Sequence, residues 1–316
     1  MGIKEACVRF LEYCELDKNL TLRTVRMYSY YIRFFRDWLL KQKGRDDYSV
    51  LEITDEDIRQ FRLYISHHYK NPHKGDLKRQ TQNYFLVALR SLFRFLIKKH
   101  KLNVLSPETI ELGKRRDRNI KFLTPEDLKR LFDAVPAVGV RGLRDRTIME
   151  VLFSTGLRVS ELVNLNKDQI NLKTGEFGVI GKGGKARVVF ISKNARNWLQ
   201  KYLEKRKDPY RPLFLRYSGP REKEEGITDE KFRLSARSVE RMIEKYRLKA
   251  GIPFRIGPHV LRHSYATDLL SHGADIRSVQ EMLGHKNIST TQIYTHVTSK
   301  QLRDVHKKFH SGNREG

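Results

Sequence analysis

Residues 175–191 read GEFGVIGKGGKARVVFI, and they decide the class of fold. Two runs rich in β-branched and aromatic residues (Phe177, Val179 and Ile180, then Val188, Val189 and Phe190) flank a Gly- and Lys-rich turn. That is the pattern of a hairpin with a flexible tip. On both sides the apolar period changes to three and four residues. LKRLFDAV and LRDRTIMEVLFSTG precede the hairpin; NARNWLQKYLEKR and SARSVERMIEKYRLKAG follow it, and helical patterning continues to near Lys308. The expected fold is therefore mainly α with a small β-sheet, an α+β arrangement. Tyr217 to Phe232, YSGPREKEEGITDEKF, is a polar excursion expected to form an exposed loop.

Working outward toward the first residue, the chain reads as helices. EACVRFLEYCEL spaces Ala6, Val8, Phe10, Leu11 and Cys14 roughly as a helix does, and TVRMYSYYIRFFRDWLL repeats Val25, Tyr28, Tyr31, Ile32, Phe35 and Leu39. Thr54-Asp55-Glu56-Asp57 supplies a cap and an acidic first turn ahead of Ile58, Phe61 and Ile65. A fourth helix, TQNYFLVALRSLFRFLIKKHK, carries Phe85, Leu89, Leu92, Phe93 and Leu96 as its apolar stripe. Arg79, Arg90, Arg94 and Lys98 are interleaved with that stripe, a placement suited to gripping phosphates. The apolar pattern lapses between Asn103 and Phe122, where GKRRDRNIK is basic. It resumes at Leu123-Thr124-Pro125-Glu126 with Thr as a cap and Pro at the first helical position. Expected boundaries are a helical domain over 1–103, a basic linker over 104–122 and a second domain over 123–316.

Lys and Arg number 63 against 37 Asp and Glu, a formal net charge of +26 with a pI near 10.1. A surplus of this size repels itself unless a polyanion neutralises it, and nucleic acid is the expected partner. At 39% hydrophobic residues the chain can still bury a core in each domain. No apolar run approaches the roughly 18 residues of a membrane span, and MGIKEACVRF lacks the apolar core of a signal peptide. No membrane partner is expected, and a cytoplasmic location follows by default. Cys7 and Cys14 lie seven positions apart, about 10 Å along a helix, too far for a disulfide.

GLRVSEL, GKGGKAR, HVLRHSYAT and LGHKNISTTQIYTH carry the chemistry. Gly184-Lys185 does not form a phosphate-binding P-loop, because Val179 and Ala186 stand where that motif needs Gly and Ser or Thr. His259 and His263 do not form the zinc-protease helix motif, because Val260 replaces its Glu, and no metal is expected. Phosphodiester exchange without a metal has definite requirements. Two arginines can clamp the negative charge of the transition state. A lysine on a mobile hairpin can protonate the leaving oxygen. A tyrosine can hold the phosphate covalently and so conserve bond energy for rejoining, with histidines donating to the phosphate or taking the tyrosine proton. Arg158, Lys182, His259, Arg262, His285 and Tyr294 supply that whole set.

In order and spacing these segments resemble the catalytic domain of the tyrosine recombinase (phage integrase) family. The likeness rests on G-L-R-x-S-E-L at Gly156–Leu162, G-K-G-x-K at Gly181–Lys185, H-x-L-R-H at His259–His263, L-G-H at Leu283–His285 and Tyr294 in I-Y-T-H. It covers residues from about 122 to 308. ALRSLFRFL and TVRMY are more loosely similar to the family's helical, SAM-like core-binding domain, and YTHVTSKQLRDVHKKFH is similar to its Xer-type branch.

The resemblance implies two domains closing as a C-shaped clamp on DNA. It implies Tyr294 as nucleophile forming a 3′-phosphotyrosyl link, Arg158 and Arg262 as the phosphate clamp, and Lys182 as general acid. His259 would accept the tyrosine proton, and His285 would donate a hydrogen bond to the phosphate. Arg79, Arg90, Arg94 and Lys185 are the expected DNA contacts beyond the site, and Glu161 an ion-pair partner of Arg158 or a neighbour. Neither cofactor nor metal is implied. The partners implied are double-stranded DNA carrying paired inverted half-sites and further recombinase subunits, in a homotetramer or a heterotetramer, with a carboxy-terminal helix over Ser299–Phe309 docking on a neighbour. Strand exchange would pass through a Holliday junction, with chromosome or plasmid dimer resolution as the expected role. Mobile-element integration, a relaxing topoisomerase of similar chemistry and a non-catalytic DNA-binding protein are the alternatives.

Overall fold

The computed structural model describes residues 1–73, 75–113, 121–181, 184–218, 228–285, 287 and 291. The chain divides into two compact units, Met1–Arg118 and Asn119–Gly316.

The first unit is built on α1 (Ile3–Leu16), α2 (Leu22–Lys43), α3 (Asp55–Leu63) and α4 (Arg79–His100). The cap read at Thr54 forms. Its hydroxyl accepts from the Asp57 backbone N–H while the Asp57 carboxylate accepts from the Thr54 N–H, and Lys43 pairs with Asp57 at 2.7 Å. Aromatic side chains fill the core. Phe61 lies against Phe35 at 4.9 Å between ring centroids, Trp38 at 5.1 Å and Phe85 at 6.0 Å, mostly tilted or edge-on. On α1 the buried face is Ile3, Ala6, Cys7, Phe10 and Cys14, whereas Val8 faces out. Both cysteines are free and buried, and burial pushes each thiol up to about 11. Two short strands, β1 (Lys70–Asn71) and β2 (Gly75–Asp76), pair between α3 and α4.

The stretch expected to be linker begins as part of this unit. Val104 and Ile110 are buried in its core, and the Asn83 side chain both donates to and accepts from the backbone of Gly113 at 2.9 Å. The physical reason is that a few apolar residues spaced through a non-periodic segment suffice to dock it once α4 offers a groove. Residues 114–120, which hold most of the basic run, lie outside the described residues.

In the second unit the cap read at Thr124 forms, accepting from Asp127 N–H ahead of α5 (Pro125–Asp133). α6 (Gly139–Thr155) runs through the core, burying Ile148, Met149, Val151 and Leu152 against α8 (Lys193–Lys205) and α10 (Pro258–Ser271). Between them lie the short α7 (Val159–Val163) and the hairpin of β3 (Glu176–Ile180) and β4 (Ala186–Phe190), paired antiparallel with Phe177 opposite Val189 and Val179 opposite Arg187. Phe177, Val179 and Val189 face inward; Ile180, Val188 and Phe190 face out. α9 (Ala236–Lys249) and α11 (Ile276–Leu283) complete the α-helices among the described residues of this unit.

The polar excursion leaves from Tyr217, whose hydroxyl meets that of Tyr202 at 3.1 Å, and returns at Phe232, which stacks on Tyr210 at 4.2 Å. Its middle, 219–227, is outside the described residues. The mainly helical fold with a small sheet is as expected. No helix among the described residues is long and apolar enough to cross a membrane.

Candidate active site

α6 ends at Gly156, whose left-handed backbone (φ +59°) turns the chain sharply; a Cβ here would lie 2.4 Å from Cδ1 of Tyr265. The turn delivers Arg158 to the N-cap position of α7. There the Glu161 carboxylate accepts from the Arg158 backbone N–H at 2.9 Å and from its Nη1 at 2.8 Å, while Arg158 Nη2 donates to the Gly284 carbonyl at 3.2 Å. The expected ion pair is present. A quarter of the Arg158 side chain (27%) remains open to solvent, so its guanidinium can reach a ligand.

Arg262 comes from the second turn of α10 and is only 4% exposed. Its Nη1 donates to the Gly156 carbonyl at 2.5 Å, and its Nη2 to the Leu283 carbonyl at 2.6 Å and to His285 Nε2 at 3.0 Å. α11 closes at Gly284, again left-handed (φ +63°), which places His285 just beyond the helix. Gln280 donates its side-chain amide to the His285 carbonyl at 3.0 Å, and Thr291 Oγ1 lies 3.0 Å from His285 Nδ1. Because a guanidinium can only donate, Nε2 must be the acceptor and the ring proton sits on Nδ1, donated to Thr291. Burial, then the charges of Arg262 and Arg158, push His285 down to about 4, consistent with a neutral ring. His263 falls to about 4 through burial and the neighbouring His259 and Arg262.

Arg158, Arg262 and His285 are thus brought together around the Leu283–Gly284 turn. His259 occupies the exposed first turn of α10, one turn before His263. Lys182 and Tyr294 lie outside the described residues. Lys185 is exposed in the hairpin turn just before β4, its carbonyl accepting from Gly181 N–H at 2.8 Å.

Of the arginines expected to touch DNA from the first unit, Arg90 is turned to an internal task, donating Nε to the Ile110 carbonyl at 2.6 Å. Arg94 pairs with Glu108 at 3.3 Å on the surface. Arg79 is exposed and lines a cleft of about 320 Å³ with Arg59, Arg62, His67 and Gln82.

Arg187 escaped the sequence reading. From β4 it donates Nη1 and Nη2 to the two Glu161 oxygens at 3.0 and 2.8 Å, and Nε to the Met282 carbonyl at 3.1 Å. Burial would raise the Glu161 carboxyl, but hydrogen bonds from Arg187 and Arg158 outweigh it and hold the group down at about 2. A signal existed: Arg187 has the parity of Val189, so it is a charge on the inward face of a strand. Among the described residues no cluster of acidic, histidine or cysteine side chains could hold a metal ion.

Comparison with known proteins now decides the family. The phage integrase family model matches residues 121–301, and its N-terminal SAM-like domain model matches residues 7–100. The chain belongs to the phage integrase family of tyrosine recombinases.

This recombinase is 37% identical over 308 residues to the tyrosine recombinase XerD of Listeria monocytogenes serotype 4b (strain F2365), covering 95% of this chain and 97% of that protein. It is 35% identical to the tyrosine recombinase XerC of Pelotomaculum thermopropionicum (strain DSM 13744 / JCM 10971 / SI), over 95% and 96% of the two chains. Its fold is similar to the XerH site-specific recombinase in a post-cleavage complex with palindromic difH substrate, with a TM-score of 0.69, 21% identity and coverage of 95% of this chain and 84% of that one. The recombinase is therefore an Xer-type site-specific recombinase, and its catalytic match contains all six residues singled out from the sequence.

Proposed function

We propose that this recombinase cuts and rejoins double-stranded DNA through Tyr294. The supporting observation is the convergence of Arg158, Arg262 and His285 on one turn, with Arg158 still partly open. A guanidinium carries five N–H donors, so Arg158 and Arg262 can keep the bonds that anchor them and direct further N–H groups to the non-bridging oxygens of a phosphate. The Tyr294 oxygen attacks phosphorus to form the 3′-phosphotyrosyl bond as the bond to the 5′-oxygen breaks. Lys182 supplies the proton that the 5′-oxygen takes up, and His259 receives the tyrosine proton. His285 donates to the phosphate through Nε2 only once its proton sits there, and the arriving phosphodiester monoanion favours that placement electrostatically.

Because the covalent link conserves the bond energy, rejoining needs no nucleotide. Two duplexes with inverted half-sites, held by a tetramer of this chain or of this chain with a second recombinase, would then exchange strands through a Holliday junction. Lys185, Arg79 and Arg94 are the DNA contacts favoured outside the site, since all three are exposed. Dimer resolution is preferred to mobile-element integration because the full-length relatives are XerC and XerD proteins.

The test mixes purified recombinase with labelled genomic fragments from its own host in EDTA, denatures with detergent, and looks for protein-linked DNA. Wild type is expected to form the adduct and Tyr294→Phe to lose it completely. A wild type that binds the fragments but never becomes linked to them, whether alone or with host extract added to supply a second recombinase, would refute the covalent mechanism.

A further inference from the structure

Arg187 sits on the strand that follows the hairpin tip, and nothing in the proposed chemistry uses it. Its side chain is 10% exposed, and the guanidinium occupies a slot between two glycines. A Cβ at Gly284 would lie 3.2 Å from Arg187 Cδ, and one at Gly181 3.3 Å from its Nη1. A guanidinium in so close a fit holds one orientation, and it spends that orientation on Glu161 and on the Met282 carbonyl.

The Glu161 carboxylate has room for about four donors, and all four places are taken. Oε1 accepts from Arg158 Nη1 and Arg187 Nη1; Oε2 accepts from the Arg158 backbone and Arg187 Nη2. The balance of charge follows. Arg158 with Glu161 alone is a neutral pair, and a neutral pair has little attraction for a phosphate. Adding Arg187 leaves the cluster with one net positive charge, carried on its solvent-open side by Arg158. Resting on the function proposed above, we infer that Arg187 is a positioning residue that neutralises Glu161, so that Arg158 keeps its charge for the phosphate while its orientation stays fixed. Through Met282 the same side chain ties β4 to the turn that carries Gly284 and His285, so three separate sequence motifs share one anchor.

A purely structural anchor and a charge-neutralising one differ in how they respond to Glu161. The full chain is made as Arg187→Gln, Arg187→Lys and the double variant R187Q/E161Q, with melting curves to confirm folding. Single-turnover cleavage is followed on the duplex recovered from the covalent adduct. Losing an outright transition-state donor costs about 10²–10³-fold; weakening the charge of one clamp should cost roughly tenfold or more. Arg187→Gln is expected to lose that much, Arg187→Lys to lose less, and R187Q/E161Q, again with one net positive charge, to cleave faster than R187Q alone. R187Q cleaving at the wild-type rate, or the double variant cleaving no faster than R187Q, overturns the proposal. Should R187Q fail to fold, Arg187→Lys decides: a rate within tenfold of wild type supports it, and a loss as deep as that of Arg158→Ala refutes it.

A second readout needs no cleavage and separates this proposal from the covalent mechanism. Phenylglyoxal modifies accessible arginines, and the labelling of Arg158 is mapped by mass spectrometry on the free protein. Slower labelling in R187Q, restored in R187Q/E161Q, supports the proposal even if wild type forms no adduct. Identical labelling in all three overturns it.

Discussion

The two units bury different chemistry. The first packs Phe10, Phe35, Phe61, Phe85 and Phe93 in its interior, and among its described residues the buried polar or charged ones are Asp57, satisfied by a helix cap and Lys43, and Asn83, satisfied by Gly113. The second buries Asp145, Glu150, Glu161, Arg206 and Arg262 among its aliphatic residues. Burying a charge costs several kcal/mol after relaxation unless partners replace its water, so an apolar core is the cheaper solution wherever packing is the only demand. At Arg262 and Glu161 the second unit draws the partners from other sequence motifs: the Gly156 and Leu283 carbonyls and His285 for Arg262, and Arg158 and Arg187 for Glu161. The contrast teaches that the first unit is built to hold a shape and the second to hold charges in a stated geometry.

Cutting the first core should therefore cost stability without touching the chemistry of the second. Phe61→Ala removes a ring that contacts Phe34, Phe35, Trp38 and Phe85. It is expected to destabilise the first unit by about 3–5 kcal/mol, measured by denaturant unfolding, while phenylglyoxal labelling of Arg158 stays as in wild type. Changed labelling would break the separation between the units.

Acid should act the other way, on the second unit. His263 and His285 both fall to about 4 in the folded protein, below the ordinary histidine value of 6.5. Between those values the unfolded chain binds more protons than the folded one, so stability rises with pH across this window. The stabilisation is fully present above about 6.5 and is lost as pH falls through about 4. Melting curves across that range should show the second unit weakening first, and His263→Gln or His285→Gln should flatten the slope. A slope unchanged in both variants would show that these rings do not drive it.

The smallest effect is expected at Thr291, the fully buried partner of His285 Nδ1. Thr291→Val keeps the shape and removes one hydrogen bond, a change of about 1 kcal/mol. Nitrogen NMR of His285 should show its proton still on Nδ1, because Arg262 still requires Nε2 to accept. A shift toward Nε2 would mean that Thr291 sets the tautomer.

Much of this was legible along the chain, because it depends on neighbours in sequence. Thr54 and Thr124 announce their helices through residues three positions on, and the hairpin through its apolar strands and Gly-rich turn. Arg158 and Glu161 are likewise three residues apart, so their ion pair follows from helical geometry. Arg90 shows where that reading stops: its place on α4 is legible, but the chain twenty residues later folds back and takes its Nε onto the Ile110 carbonyl.

The sequence by itself determined the fold class, the capped helices and the hairpin, and it named the candidate reactive side chains, since each is encoded in spacing over a turn or two or in residue type. Only the tertiary structure decided how those side chains are held. The Arg187 bridge to Glu161 spans 26 residues, the Arg262 bond to Gly156 spans 106 and the Arg158 bond to Gly284 spans 126. Such contacts form only after α6, α10, α11 and the hairpin have packed, when carbonyls at helix ends and a buried carboxylate must find donors or pay the full cost of lost water.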